Sequence, residues 1–439
     1  MAVQEPATAE RAPYARIAAI SVGFGGLMLV TTLYNAQMQF LLRDYFSSRG
    51  VIGALMGVDA LIALALIPIV GAWSDRLEGR LGKRLPFILI GMPIAAVTFA
   101  LLPSAGRTAL WTLLLCDAVF MTASALYRGP LIALMPDHCP ASKRSGANGL
   151  VNLVGGIGSA LALGVVGPLF DIDRNLSFGI AAAVLLLACV VVWRSAERHP
   201  AHVARAGIGT LSDAAVEQSP VSALIDLIRG AAALFRSSNR GQLLVLAAIF
   251  CYFIGFSSLD NLFPLYGVEV LGLTEGEATQ VVTYVAVAFI IGAVPAGFLG
   301  NRIGKAPSML LGMVLMPGMF IVASFQQSPT AFPVLLIFGG IAWALINVQA
   351  YPLVADLGGL SRIGFFTGMY YLFQNASQAI GPGIMGVAMD VFGDVWLFWG
   401  GAASFVVAFV LLRAGANRLA EPEDVAETTD PLAAPTEPK

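Results

Sequence analysis

The sequence predicts an all-α membrane protein of twelve transmembrane helices, arranged as two pseudo-symmetric six-helix bundles. Three observations carry that expectation. The composition is too apolar for water, apolar runs about as long as a bilayer is thick recur along the chain, and a polar pattern from the first half returns in the second.

Composition excludes most other classes. Hydrophobic residues make up 57% of the 439-residue chain, charged residues only 12%, and mean hydropathy is +0.79. A soluble domain carries about 25% charged residues, because a folded surface needs charge to stay dispersed. The net charge of −2 points to no nucleic-acid or acidic partner. Cys116, Cys139, Cys189 and Cys251 are scattered without metal-ligand spacing, so neither a metal nor a cofactor is expected. The polar, acid-containing stretch Met1–Tyr14 shows no cleaved signal peptide.

A span needs about 20 apolar residues to cross roughly 30 Å of hydrocarbon, and in lipid it must bond its own backbone, so each run reads as a helix. The first spans are 17–41, 51–73 and 85–103, followed by 108–136, 146–169 and 175–193. Next comes a polar linker, 194–240. In its second part Val221, Leu224, Ile225, Ile228, Ala232 and Phe235 recur at helical spacing opposite Asp226, Arg229 and Arg236, as in an amphipathic helix on a membrane surface. The remaining spans are 242–268, 278–300, 308–326, 329–355, 363–389 and 395–413. From Glu421 the tail is rich in Pro, Thr, Ala and acids and reads as disordered. The chain divides into an N-terminal tail (1–16), a first bundle (17–193), the linker (194–240), a second bundle (241–413) and a C-terminal tail (414–439).

Charge sets the direction. With both termini in the cytoplasm, twenty Lys and Arg lie inside and only Arg43, Arg49, Arg107 and Arg174 lie outside, with Arg128 left within a span. That asymmetry follows the positive-inside rule and supports an even number of spans in a plasma membrane of the bacterial inner-membrane type.

The second half echoes the first. Asp137 and Asp356 are 219 residues apart, as are Gly149 and Gly368, and Asp171 and Asp390. Gly71-Ala-Trp-Ser-Asp75-Arg76 before Gly82-Lys83 is matched by Gly297-Phe-Leu-Gly-Asn301-Arg302 before Gly304-Lys305. Such repeats suggest a transporter whose halves rock around a midplane site.

The segment Gly71-Ala-Trp-Ser-Asp-Arg-Leu-Glu-Gly-Arg-Leu-Gly-Lys-Arg-Leu-Pro86 resembles the signature between helices two and three of the major facilitator superfamily. Its long basic form resembles the sucrose-transporter-like branch and the glycoside–pentoside–hexuronide:cation symporters. So does Arg128-Gly-Pro-Leu-Ile-Ala-Leu-Met-Pro-Asp137, followed by Arg144-Ser-Gly-Ala-Asn148-Gly. The resemblance spans nearly the whole chain and implies acidic coupling residues on helices two and four. The chain departs from plant sucrose carriers at Ile132, where they have Arg, and at Asp117, about one turn further from the proline than theirs.

Charge inside a span asks for a reason, since it costs about 3 kcal/mol on insertion scales. Asp59 and Asp117 fall eight and nine residues into spans that run in the same direction, at a common depth of roughly 13 Å. Two such carboxylates read as a site for a coupling proton or sodium ion; the alternative is that either merely accepts a hydrogen bond from a neighbouring helix. Arg128 shares a helical face with Asp117 about 16 Å along, either to bind substrate or to snorkel to the interface. Asp260, before Asn261 and Pro264, reads equally as a substrate acceptor or as a cap on a break. Asn35 and Gln37, Trp343 and Asn347, and the stripe Tyr371, Gln374, Asn375 and Gln378 offer the amides and flat rings that a sugar needs. Polar residues in membrane helices can also be interhelical glue.

Asp75, Arg76 and Arg84, with Asp137 and Arg144, are echoed by Asp356 and Arg362. At cytoplasmic helix ends they are expected to pair when that side closes, clamping the carrier outward-facing. His138, His199 and His202 all fall in cytoplasmic loops, which excludes a histidine relay in the membrane. The reading is a monomeric symporter of a small molecule, a sugar or glycoside, driven by protons or sodium. Its rivals are a drug/proton antiporter and a non-transporting receptor on the same fold; neither a nucleotide-binding loop nor a catalytic constellation is present.

Overall fold

The computed structural model describes residues 14–77, 79–139, 144–198, 240–357 and 363–420. The amphipathic stretch 221–236, Arg362 and the tail from Glu421 lie outside the described residues.

Twelve long helices and no strand make up the described residues. They are α1 (Tyr14–Arg43), α2 (Arg49–Arg76), α3 (Leu85–Thr108), α4 (Leu110–Asp137), α5 (Arg144–Leu161), α6 (Arg174–Ser195) and α7 (Arg240–Glu269). Then come α8 (Glu275–Ile303, stepping at Val282), α9 (Lys305–Ser324), α10 (Phe332–Asp356), α11 (Ile363–Phe392) and α12 (Trp396–Ala420). Eleven are long and apolar enough to cross a membrane; the other, α11, is equally long at 30 residues but carries the amide stripe. Local chemistry starts several of them. Ser48 accepts from Val51 N at the start of α2, Asp173 from Asn175 N at α6, and Thr274 forms a capping box with Glu277 at α8.

The repeat seen in the sequence is also a repeat of packing. In the first half α1 packs on α5 and α6, α3 on α4 and α6, and α2 on α4. In the second half α7 packs on α11 and α12, α9 on α10 and α12, and α8 on α10. Each half has its own apolar core, around Tyr34, Phe99, Phe120 and Phe178 in one, and around Tyr252, Phe263, Phe320 and Phe405 in the other.

Two seams related by the 219-residue repeat join the halves, α2 along α11 and α5 against α8, and α1 also packs on α7. At Gly57 a Cβ would overlap the carbonyl oxygen of Ala379, and at Gly53 that of Pro382, so glycine is what lets α2 and α11 touch backbone to backbone. The start of α1 at Tyr14 and the end of α12 at Ala420 lie at one end of the bundle, here the terminal face. The opposite end, the far face, holds Arg49, Asp171, Glu275 and Asp390.

Candidate functional site

The polar groups of the first half gather where α1, α2 and α4 meet. Asp117 is buried, 7% exposed, and its Oδ2 accepts from the Tyr34 hydroxyl of α1 at 3.3 Å. Its Oδ1 is buried with no hydrogen-bond partner among the described residues. Asp59 lies close enough for its charge to act on both Asp117 and Tyr34. The structure thus brings together the two carboxylates that the sequence set at equal depth.

Arg128 turns inward rather than snorkelling to the interface. It is half-buried, donates to Thr31 Oγ1 at 3.2 Å, and is the cation whose field reaches Asp59. Asp117 has no such partner. One acid therefore lies within the field of an arginine, while the other faces a phenol and carries an unused oxygen. Tyr34 was not among the expected site residues. A hydroxyl in the middle of a span needs a partner, and that need was the available signal.

The candidate substrate residues divide. Gln37 is not free to bind a ligand. Its Nε2 donates to Gly167 O at 3.0 Å and Ser177 Oγ lies 2.9 Å from its Oε1, both where α5 loosens through a π-helical turn (Ala162–Val166) into a 3₁₀ turn (Gly167–Asp171). It serves the Gly167 carbonyl, and Ser177 that of Val166, which the irregular turn releases and which in lipid have no water to turn to. Asn35, two residues earlier, instead lies near Asp260 of α7, across the two halves. Asp260 borders a small apolar cavity lined by Phe256, Leu259, Phe263, Val282, Val285 and Leu336.

Trp343 lies flat on Phe256, ring centroids 3.6 Å apart, so that face of the indole is already covered. Asn347, one turn on, is half-buried and makes no hydrogen bond to another described residue. On α11, Asn375 donates back to Tyr371 O at 2.8 Å, whereas Gln374 Oε1 is buried without a partner. Tyr371 is 46% exposed and packs beside Tyr351 and Tyr370, two rings the sequence reading had passed over. No group of three or more His, Cys, Asp or Glu among the described residues could hold a metal ion.

The expected clamp takes a different form. Arg84 is 4% exposed, bonds Asp137 Oδ2 at 3.0 Å and pairs with Asp75, tying α3 to α2 and α4 within one half. Arg76 ends α2 beside this cluster in sequence. In the second half Asp356 pairs with Lys305. The ion pairs of Arg84 with Asp75 and Asp137, and of Lys305 with Asp356, each stay within one half. Their partners sit on neighbouring helices of the same bundle. Arg144 begins α5, and Arg362 lies outside the described residues. His138 caps α4, with Nδ1 2.8 Å from Leu134 O and Nε2 accepting from Glu197 N at 2.9 Å; burial pushes its pKa down.

Ion pairs between the halves lie at the far face instead. Arg43 and Arg49 of the first half meet Glu269, Arg49 also meets Asp390 and Asp394, and Arg174 meets Glu275.

Comparison with known proteins agrees with this architecture. The family model described as Major Facilitator Superfamily matches residues 20–291 and 269–436. The chain is 24% identical over 386 residues to the class E tetracycline resistance protein of Escherichia coli, covering 85% of this chain and 88% of that one. It is 22% identical over 360 residues to multidrug resistance protein 1 of Bacillus subtilis (strain 168), covering 80% and 84%. Among solved structures, a peptide transporter POT superposes with a TM-score of 0.72 at 16% identity, over 95% of this chain and 96% of that one. The nucleoside transporter NupG gives 0.70 at 13%, over 92% and 99%.

Proposed function

Since the chain belongs to the major facilitator superfamily, and is a transporter of small molecules, we propose that it carries a sugar or glycoside together with a proton by alternating access. The observation that carries this reading is Asp117, buried at mid-span against Tyr34 with one oxygen unused and no cation of its own. Losing its charge to a bound proton removes the cost of an ion in the membrane, and Asp59 beside it, within the field of Arg128, supplies a second group through which substrate and proton can compete. Sodium would need several oxygen ligands, and the Tyr34 hydroxyl is the one ligand placed on Asp117.

The substrate surface in this reading is the inward side of α7, α10 and α11. Asn347 and Gln374 have hydrogen-bonding capacity to spare, and Tyr351, Tyr370 and Tyr371 offer rings. Neutral hydroxyls with apolar ring faces match that mixture. The twenty-to-four charge asymmetry makes the terminal face cytoplasmic. With its inter-half ties at the far face, the chain then stands inward-facing.

A second reading is efflux of an amphipathic cation in exchange for protons. It is favoured by Asp260 in its apolar surround, and by relatives named for tetracycline and multidrug resistance. Uptake by proteoliposomes separates the two. Disaccharide accumulation driven by an inward proton gradient supports symport; cation accumulation driven by an outward one, with no sugar uptake, supports antiport.

A further inference from the structure

We propose that Asp171 and Asp390 form a reciprocal latch, each capping a helix of the opposite half, that holds the far face closed. The inference rests on alternating access and assigns the far-side lock to named residues. Asp171, at the end of α5 in the first half, accepts from Gly276 N at 2.8 Å and from Thr274 Oγ1 at 2.6 Å, at the start of α8 in the second. Asp390, near the end of α11 in the second half, accepts from Arg49 N at 2.9 Å, Gly50 N at 3.0 Å and Ser48 Oγ at 2.6 Å, at the start of α2 in the first.

The two arrangements are copies under the internal repeat. Asp171 and Asp390 are 219 residues apart, and Ser48 and Gly50 stand 226 before Thr274 and Gly276. In both copies the capping hydroxyl does two jobs. It accepts from its own helix, Ser48 from Val51 N and Thr274 from Glu277 N each at 3.2 Å, and donates to the aspartate across the seam. Glycine is used at the same place in both. A Cβ at Gly276 would overlap the Asp171 carboxylate, and one at Gly50 would press on Val387 at 2.6 Å.

An ordinary cap is local and survives any motion of its helix. Asp173 is such a cap, accepting from Asn175 N two residues along. Asp171 and Asp390 differ because their donors belong to the other half, so their bonds exist only while the halves meet. A carboxylate at a helix N-terminus is favoured by both the free N–H groups and the helix dipole. Both latches engage together and release together, which makes closure of the two seams cooperative. The flanking ion pairs do not follow the repeat: Arg49 occupies the position that Glu275 holds in the other copy.

The test is cross-linking on one seam while the latch is altered on the other. A Cβ at Gly383 of α11 would stand 3.4 Å from Ala54 Cβ of α2, suited to a disulfide. An Ala54→Cys/Gly383→Cys pair, in a chain with its four native cysteines replaced by alanine, therefore reports closure of the α2–α11 seam. Asp171→Asn, on the α5–α8 seam, is expected to slow the initial cross-linking rate about fivefold, the scale of a lost charged cap. Asp390→Asn is expected to do the same, and Asp173→Asn to leave the rate unchanged. A parent-like rate in Asp171→Asn, or equal slowing in Asp173→Asn, overturns the latch. Arg49→Ala/Arg174→Ala separates the two failures. If it slows cross-linking while the aspartate variants do not, only the latch is wrong; if no variant changes the rate, the halves do not alternate.

Discussion

Replacing Gly57 by alanine is expected to push the transporter out of the state described here. The added methyl would overlap the Ala379 carbonyl oxygen, and backbone cannot rotate away as a side chain can, so α2 and α11 have to part by on the order of 1 Å. Overpacking of this kind costs about 1–3 kcal/mol. Under alternating access the seam parts in the other state, so only the far-closed state bears the cost. The conformational equilibrium therefore shifts by a factor of about 5–150 toward far-open. Thr279 reports that shift from the other seam: it is fully buried, and a Cβ at Gly167 would lie 2.7 Å from its methyl. A Thr279→Cys probe should react faster with an impermeant thiol reagent from the far side when Gly57→Ala is present. Gly71→Ala, where a Cβ has nothing within 4 Å, should leave the rate as in the parent. Equal labelling in Gly57→Ala and the parent would refute the reasoning.

Three other predictions follow from the same geometry. Asp137→Asn leaves the buried Arg84 with Asp75 and Ser74 only, a loss of about 1.5–3 kcal/mol that a melting curve in detergent should register. Because the pair lies within one half, labelling of Thr279→Cys should not change; a shift would restore it as a gate. Gln37→Leu should lower thermal stability by about 1–3 kcal/mol, through the unpaired Gly167 carbonyl, and leave the transport KM as it was; a raised KM would return Gln37 to the substrate site. In intact cells a cysteine at Thr274, exposed at the far face, should react with impermeant reagents while one at Ser212 in the linker is protected, and the reverse would overturn the orientation.

The architecture was legible because lipid enforces it. Apolar runs about 20 residues long have no alternative to helix, and the polar punctuation of the repeat, such as Asp137 with Asp356, marks equivalent places in two similarly packed halves. Depth was legible too: counting residues into α2 and α4 brought Asp59 and Asp117 to one level. Azimuth was not. Asn35 and Gln37 are two residues apart, about 200° around α1, and only packing reveals that one lies near Asp260 while the other holds the α5 turn. The terminal-face charges were legible as a cluster, but nothing in Asp75, Arg84 or Asp137 says that their partners lie in the same half. Asp171 and Asp390 were noticed as a repeated pair; their role required seeing whose helix each one caps.

Proton-coupled sugar transport through Asp117 is tested most directly in proteoliposomes, by measuring labelled disaccharide accumulation under an imposed inward proton gradient and, separately, equilibrium exchange. The parent should accumulate substrate above its external level. Asp117→Asn keeps the size of the side chain and can still accept from Tyr34, but it cannot take up the proton. It should exchange substrate at a rate close to the parent's and accumulate none. Undiminished uphill uptake at saturating substrate in both Asp117→Asn and Asp59→Asn would contradict the account and remove both carboxylates from the coupling site.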